Sequence, residues 1–187
     1  MRLENLINAA KANISGDDLP PVDQWNPENC ANMQMRILRD GSWLHEGSVI
    51  TRPALVKLFS TILRKDEDGQ TWLVTPVEKV KVIVDVAHFI AVSVEKIIDE
   101  NVESLYFTTN VEDVVKLDNQ HSLMINTNSK TNTPEPVIRV RGRLDALLSR
   151  PVYYQLVEWA KEKDQQLGVF SDDSFFILGD KGEHLID

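Results

Sequence analysis

Two arginines, Arg139 and Arg141, stand two residues apart in the segment VIRVRG. On a β-strand this spacing places both side chains on the same face, because successive residues point to opposite faces. Two neighbouring guanidinium groups can bind the oxygens of a phosphate or a carboxylate with paired hydrogen bonds. Gly142 follows them and lets another group approach the backbone closely. The segment predicts an anion-binding strand. Its alternative is an exposed face on which the arginines pair with the protein's own carboxylates.

Two further arginines stand at candidate helix starts, Arg52 before Pro53 and Arg150 before Pro151. Proline is well tolerated in the first helical turn, where its missing N–H costs nothing. The amino end of a helix attracts anions, and an arginine there adds to the attraction. We expect Arg52 and Arg150 either to contact an anionic ligand or to be solvated surface side chains.

The segment WLHEGS places an aromatic ring beside two titratable groups, with Trp43 followed by His45 and Glu46. Trp43 offers a stacking surface to a ligand, and its alternative is a core aromatic. His45 and Glu46 offer an acid and a base, and their alternative is hydrogen bonding within the fold. Because no second His or Cys lies at metal-ligand spacing, the segment is weak evidence for zinc.

The segment VTPVEK supplies Thr75, Glu78 and Lys79. If two halves of the protein close over a ligand, Glu78 can accept a hydrogen bond from a base or a ribose hydroxyl while Lys79 meets the phosphate. The alternative is an ion pair between Glu78 and Lys79 in a turn. All three residues are therefore candidate ligand contacts.

Motifs for catalysis and for cofactors are missing from the sequence. There is no GxxxxGK[ST] loop, no GxGxxG after a strand and no GxSxG elbow. His88, His121 and His184 lack a nearby nucleophile signature. The acidic segments DEDG and SDDS lack the spacing of a calcium loop and are typical of turns. We therefore predict no cofactor, no metal and no catalytic residue.

The charge balance limits the class of partner. The 187 residues include 20 basic and 29 acidic side chains, a formal charge of -9, which disfavours general binding of nucleic acid or anionic membranes. The single cysteine, Cys30, fits a reducing compartment. The amino-terminal segment is interrupted by Arg2, Glu4 and Lys11, unlike a signal peptide, and no apolar stretch is long enough to span a membrane. We predict a cytoplasmic protein.

The elements that position these residues are mostly strands. A turn at Asp40 and Gly41 separates two of them in MQMRILRDGSWLHEGSVI. Further candidate strands are TWLVTP, VKVIVDVAHFIAVSV, ESLYFTT, DVVKL, SLMIN, PVIRVRG and an apolar pair in LGVFSDDSFFILG. The polar segment NTNSKTNTPEP predicts an exposed loop. An amphipathic helix is predicted at the amino terminus, ending at Gly16.

Two helix-forming segments resemble each other. VITRPALVKLFSTILRKD and LLSRPVYYQLVEWAKEKD are 98 residues apart, with five identities in the sixteen positions that start at Thr51 and Ser149. Both of these residues are suitable helix caps. We interpret the repeat as a duplication into two α+β units, each with antiparallel strands and one principal helix, at residues 1–85 and 86–187. The alternative is a coincidence of two similarly capped amphipathic helices.

The segments ILRDGSWLHEGSVITRPALVKLFSTILRKDEDGQTWLVTPVEKV and PVIRVRGRLDALLSRPVYYQLVEWA resemble the bacterial family called domain of unknown function 1285. The resemblance covers residues from about Met35 to about Phe176. It implies a duplicated core, a carboxy-terminal half similar to a pleckstrin-homology barrel, and a nucleotide-like ligand between the halves. It also implies a role in signal transduction.

Three classes of function remain. The first is a cytoplasmic regulatory module that binds an anionic, nucleotide-based small molecule between its two domains, with a signalling protein as a further partner. The second is a protein adaptor without a small-molecule ligand. The third is a hydrolase or transferase that uses His45 or Glu46 as a base. For the first class, Arg141 is the leading ligand contact, and we expect Arg141→Ala to abolish binding while leaving folding unchanged.

Overall fold

The computed structural model describes residues 3–13, 19–128 and 131–180. The chain forms two units, of which the first ends at Val86 and the second begins at Ala87; the sequence predicted a boundary after Asp85. Each unit contains mainly antiparallel strands and at least one helix. The fold includes a sheet that curls into half a barrel. The predicted α+β class with two similar units is confirmed. The predicted helix end at Gly16 lies outside the described residues.

The first unit combines helices with a six-stranded sheet. Its helices are α1 (Leu3–Ala12) and α2 (Pro53–Thr61), and a short 3-10 helix spans Val22–Gln24. Its strands are β1 (Cys30–Ile37), β2 (Trp43–His45), β3 (Ser48–Val49), β4 (Leu63–Lys65), β5 (Thr71–Val74) and β6 (Lys79–Val84). The strand order is β3-β2-β1-β6-β5-β4, and every neighbouring pair is antiparallel except β1 and β6, which are parallel.

One face of this sheet is buried and the other is exposed. On β1, Met33, Met35 and Ile37 are buried while Gln34 and Arg36 between them are exposed, as the period of two in a strand requires. Phe59 of α2 packs on the buried side, with its ring centroid 6.2 Å from that of Trp43. We call the opposite side, with the exposed residues of β1 and β6, the outer face of the first sheet.

The proline-rich connector lies along the edge strand β4. The Nη1 group of Arg64 donates hydrogen bonds to the carbonyl oxygens of Val22 at 2.7 Å and Trp25 at 2.6 Å. Its Nε group donates to Asp66 at 2.7 Å. Arg64 therefore anchors to β4 a connector whose prolines prevent a continuous α-helix, and no local pattern in the sequence singles this arginine out.

The second unit contains two sheets and a helix. Its strands are β7 (Phe89–Asp99), β8 (Val102–Thr109), β9 (Val114–Lys116), β10 (Leu123–Thr127), β11 (Pro134–Arg141), β12 (Leu144–Leu148), β13 (Lys161–Lys163), β14 (Gln166–Ser171) and β15 (Ser174–Asp180). The helix α3 (Arg150–Trp159) separates β12 from β13. The larger sheet has the order β10-β11-β12-β7-β8-β9, and the smaller has the order β13-β14-β15.

The two six-stranded sheets have the same topology. Each sheet consists of two three-stranded meanders. The first strand of one meander pairs in parallel with the last strand of the other and so joins them. These parallel pairs are β1 with β6 in the first unit and β7 with β12 in the second. The helices are placed differently, since α2 connects the two meanders of its unit whereas α3 follows both. The similar helix sequences therefore stand at non-equivalent positions of the two sheets.

Several strands differ from the sequence prediction, including β11, β12 and β13 of the second unit. β12 was not predicted, because its leucines and alanine are also good helix formers and it leads directly into α3. β13 consists of Lys, Glu and Lys, and it pairs with β14 because Asp164 and Gln165 adopt positive φ in a tight turn. β11 begins inside the predicted polar loop, at Pro134, and Glu135 is buried.

Candidate functional site

The arginine pair of β11 is bonded within the second unit. Arg139 forms an ion pair with Asp145, its cross-strand partner on β12, and donates to the Gly142 carbonyl oxygen at 2.9 Å. Arg141 forms an ion pair with Asp113. The structure therefore matches the alternative in which both guanidinium groups pair with the protein's own carboxylates.

An aromatic ring and a histidine support these arginines. The guanidinium carbon of Arg141 lies 5.0 Å from the centroid of the Phe89 ring. His88 is 4% exposed, and its Nδ1 atom accepts the backbone N–H of Asp145 at 3.2 Å. Because Nδ1 accepts this hydrogen bond, it carries no proton in this arrangement. This network of side chains orders the junction of β7, β11 and β12.

Trp43 and Thr75 lie in the interior. Trp43 is 1% exposed, so its ring has no face on which a ligand could stack, and we remove it from the candidate site. Thr75 is fully buried, and its hydroxyl group donates to the carbonyl oxygen of Glu78 at 2.9 Å. The backbone N–H of Glu78 returns a hydrogen bond to the Thr75 hydroxyl at 3.2 Å. Thr75 therefore closes the turn between β5 and β6.

Lys79 begins β6 directly after this turn. Its ammonium group lies 4.5 Å from the centroid of the Trp72 ring, a distance at which a cation is attracted to the face of the ring. Glu78 is half-buried beside it. The structure thus brings Thr75, Glu78 and Lys79 together in one hairpin.

His45 and Glu46 lie where β2 turns into β3. Glu46 adopts a positive φ of 47°, and its carboxylate accepts the backbone N–H of Gln34 at 2.9 Å. The backbone N–H of Glu46 in turn donates to the carbonyl oxygen of Gln34 at 3.0 Å. His45 is half-buried opposite Met35. Glu46 therefore has a structural role in holding β2 against β1.

Arg52 and Arg150 are both exposed at helix starts, as predicted. Arg52 is itself the residue that caps α2, so the predicted cap at Thr51 is wrong by one position. Ser149 precedes α3 in the capping position, but its hydroxyl makes no capping hydrogen bond. Arg52 belongs to the first unit and Arg150 to the second.

A depression of about 330 Å³ lies on the outer face of the first sheet. It is lined by Met33, Gln34, Met35, Arg36, Leu44, Gly47, Lys81 and Ile83. Arg36 occupies the centre, because register places it opposite Leu44 on β2 and opposite Ile83 on β6. Lys81 stands two residues before Ile83 and therefore on the same face. The depression combines two cationic groups with two exposed or half-exposed aliphatic side chains.

The two cations of the depression differ in their surroundings. Arg36 donates to Asp85 at 2.8 Å from Nε and at 2.7 Å from Nη2. Among the described residues, Lys81 has no carboxylate within ion-pair distance. The backbone N–H and the side chain of Gln70 lower the pKa of Asp68, with smaller contributions from Lys79 and Lys81. Lys81 therefore leaves a positive charge on this face.

The match to known proteins covers both units. Residues 20–87 match the family described as domain of unknown function DUF1285, N-terminal domain, and residues 88–178 match the corresponding C-terminal domain. The chain belongs to the DUF1285 family. The two DUF1285 matches meet at residues 87 and 88, one residue from the division between the structural units. The depression lies entirely in the N-terminal DUF1285 domain.

Two solved structures are similar to this DUF1285 protein. A crystal structure of a DUF1285 family protein from Silicibacter pomeroyi DSS-3 is 39% identical, covers 94% of both chains and has a TM-score of 0.84. A DUF1285 family protein from Shewanella baltica OS155 is 24% identical and covers 66% of this chain and 90% of its own, with a TM-score of 0.51. The second likeness concerns the fold alone. No curated protein matches the chain.

Two further tests concern metals and membranes. No group of three or more His, Cys, Asp or Glu side chains in residues 3–13, 19–128 and 131–180 could hold a metal ion. None of the helices in the same ranges is long and apolar enough to cross a membrane. The depression, which is lined by the cations Arg36 and Lys81, is the candidate binding site.

Proposed function

We propose that this DUF1285 protein is a ligand-binding regulatory module that binds an anionic small molecule in the outer-face depression of its first unit. The observation that carries the proposal is the position of Arg36 and Lys81, two cations on one open face of a protein with a formal charge of -9. An anion placed between them gains from both charges, while the acidic remainder of the molecule repels competing polyanions.

The proposal shifts the ligand from the arginines of β11 to the outer face. Arg139 and Arg141 already have carboxylate partners, so an anion would have to displace Asp145 or Asp113. Arg36 is likewise paired with Asp85, but Lys81 beside it is not paired with any described carboxylate and can meet an anion without such a displacement. The nucleotide that the family resemblance implies is one anion of this kind, and the proposed action is in the cytoplasm, in signal transduction.

A thermal-shift screen tests the proposal. A ligand that binds only the folded protein raises the melting temperature, and the rise grows with the logarithm of the ratio of ligand concentration to dissociation constant. We expect inorganic phosphate, AMP or a simple carboxylate to stabilise the wild type, and Lys81→Ala to weaken the binding about tenfold through loss of a charge-assisted hydrogen bond. Lys11→Ala, at an exposed lysine of α1, is the matched control. If no anion shifts the wild type, the proposal fails.

A protein adaptor is the second candidate, and the β7–β8 hairpin favours it. Ile97 is 49% exposed and Ile98 is 66% exposed near the end of this hairpin. Because successive side chains of a strand point to opposite faces, these two isoleucines expose apolar surface on both faces of the hairpin, and exposed apolar surface is a feature of protein-binding sites. A pull-down from a bacterial lysate tests this candidate with the Ile97→Ser, Ile98→Ser double variant. The adaptor is favoured if the wild type captures a specific partner that the variant loses, and if no anion raises the melting temperature in the screen.

A further inference from the structure

We propose that the outer-face depression selects an anion that carries an aliphatic chain, such as a medium-chain carboxylate, over a nucleotide. This inference rests on the proposed function, because it specifies the class of anion bound at the same site. The observations behind it are the side chains next to the two cations, the place of the neighbouring aromatic ring, and the size of the depression.

The side chains beside the central cation are aliphatic. Arg36 lies between Leu44 and Ile83, its partners on the strands at either side. Ile83 is 56% exposed, so a branched apolar side chain faces water directly beside a guanidinium group. A chain of methylene groups laid across Leu44 and Ile83 removes apolar surface of both the ligand and the protein from water.

A nucleobase lacks comparable partners here. Bases bind to proteins by stacking on aromatic rings or guanidinium planes and by hydrogen bonds to their edges, and the guanidinium group of the depression, that of Arg36, is held by Asp85. None of the described residues that line the depression is aromatic, and Gln34 supplies the one neutral polar side chain among them. Trp72 lies on the next strand, opposite Lys81, but the Lys79 ammonium group already lies over its ring. A base in the depression would therefore contact aliphatic groups on both sides.

The size and openness of the depression suit a single small head group with a chain. Its volume of about 330 Å³ is at the lower end of ligand pockets. At Gly47, an added Cβ would meet no atom within 4 Å, so the rim is open beside β2. The carboxylate of the ligand would lie between Arg36 and Lys81, and its chain would run over Leu44 and Ile83.

Calorimetric titration of the full chain with octanoate, acetate and AMP tests the inference. Each buried methylene group strengthens binding about fourfold, so burial of three makes octanoate bind about 60-fold more tightly than acetate. Ile83→Ser should weaken octanoate about tenfold and leave acetate unchanged. Lys81→Ala should weaken both carboxylates. Ile97→Ser is the matched control, since this isoleucine of the second unit is 49% exposed.

The outcomes separate the inference from the proposed function. Tighter binding of octanoate that depends on both Ile83 and Lys81 supports both. Binding of AMP that depends on Lys81, with octanoate no tighter than acetate, overturns the aliphatic class and keeps the anion site. Octanoate binding that survives Ile83→Ser and is lost in Ile97→Ser places the chain elsewhere and overturns the inference. If none of the three anions binds, the proposed function falls as well.

Discussion

The outer-face depression of the first sheet and the arginine strand of the second unit both carry two cations, but they differ in what surrounds those cations. On β11, Arg139 and Arg141 are each paired with an aspartate of the same unit. On the outer face, Arg36 is paired with Asp85 while Lys81 is not paired with any described carboxylate. The spacing of basic residues therefore identifies a charged face, and the position of the carboxylates decides whether that face can accept an anion.

The largest expected effect is on folding, at Arg141. Arg141→Ala removes the partner of the half-buried Asp113 and the cation over Phe89. We expect the free energy of unfolding to fall by about 1 to 2 kcal/mol, below the cost of a fully buried pair because both side chains keep some exposure. This differs from the prediction made from the sequence, which was that Arg141→Ala leaves the stability of the fold unchanged.

Urea denaturation of Arg141→Ala and of Lys81→Ala measures this difference. Lys81→Ala should lie within about 0.5 kcal/mol of the wild type, as is usual for exposed side chains. If the two variants were equally stable, the distinction between a structural arginine and an available lysine would be wrong.

A smaller effect is expected on affinity, at Asp85. Asp85→Asn removes the carboxylate that competes with a ligand for Arg36. We expect the affinity for a carboxylate ligand to rise by up to about fivefold, which corresponds to the strength of an exposed ion pair. Asp145→Asn, the equivalent change beside Arg139, should leave the affinity unchanged. Calorimetric titration of both variants measures the effect, and an equal gain in the two would move the site away from the outer face.

The smallest effect concerns a carboxylate stabilised by backbone N–H groups. Partial burial raises the pKa of Asp118, but the backbone N–H groups of His121 and Gln120 and the His121 ring outweigh it and hold the pKa below its usual value. Because the folded pKa is lowered, this contribution to stability is present above pH about 4, the unfolded pKa, and is lost as the pH falls through the folded pKa.

Asp118→Asn tests the direction of that pH dependence. The variant keeps an acceptor oxygen and loses the charge, so it should be less stable than the wild type by under about 1 kcal/mol at neutral pH. The difference in melting temperature should shrink as the pH falls from neutral to below about 4. A constant difference across this range would show that charge at Asp118 is not the cause.

The hairpins of the fold could be predicted from sequence because their signals are local. Asp40 and Gly41 mark the turn between β1 and β2, and Gly41 has a φ of 83°, a value that glycine adopts without strain. The SDDS segment likewise forms the turn between β14 and β15, where Asp172 and Asp173 have positive φ. Turn chemistry within four residues is therefore sufficient for these elements.

The partners of the arginines and the depression could not be predicted in the same way. Asp113 lies 28 residues before Arg141, and no local pattern connects the two. Ile83 reaches Arg36 only through the parallel pairing of β1 with β6. A parallel pair carries no turn signal, because the chain must cross over between its strands. The sequence therefore indicated which residues were basic without showing which carboxylates they would meet.

The parallel pair at the centre of each six-stranded sheet has a consequence for the order of folding. β1 cannot pair with β6 until every intervening strand and α2 has been synthesised, and β7 must likewise wait for β12. Such distant contacts close large loops, which slows folding and postpones completion of each six-stranded sheet until its last strand is present. During translation, each six-stranded sheet would exist as two separate meanders until its last strand, β6 or β12, leaves the ribosome. The outer-face depression, which spans β1 and β6, would then form in the final step.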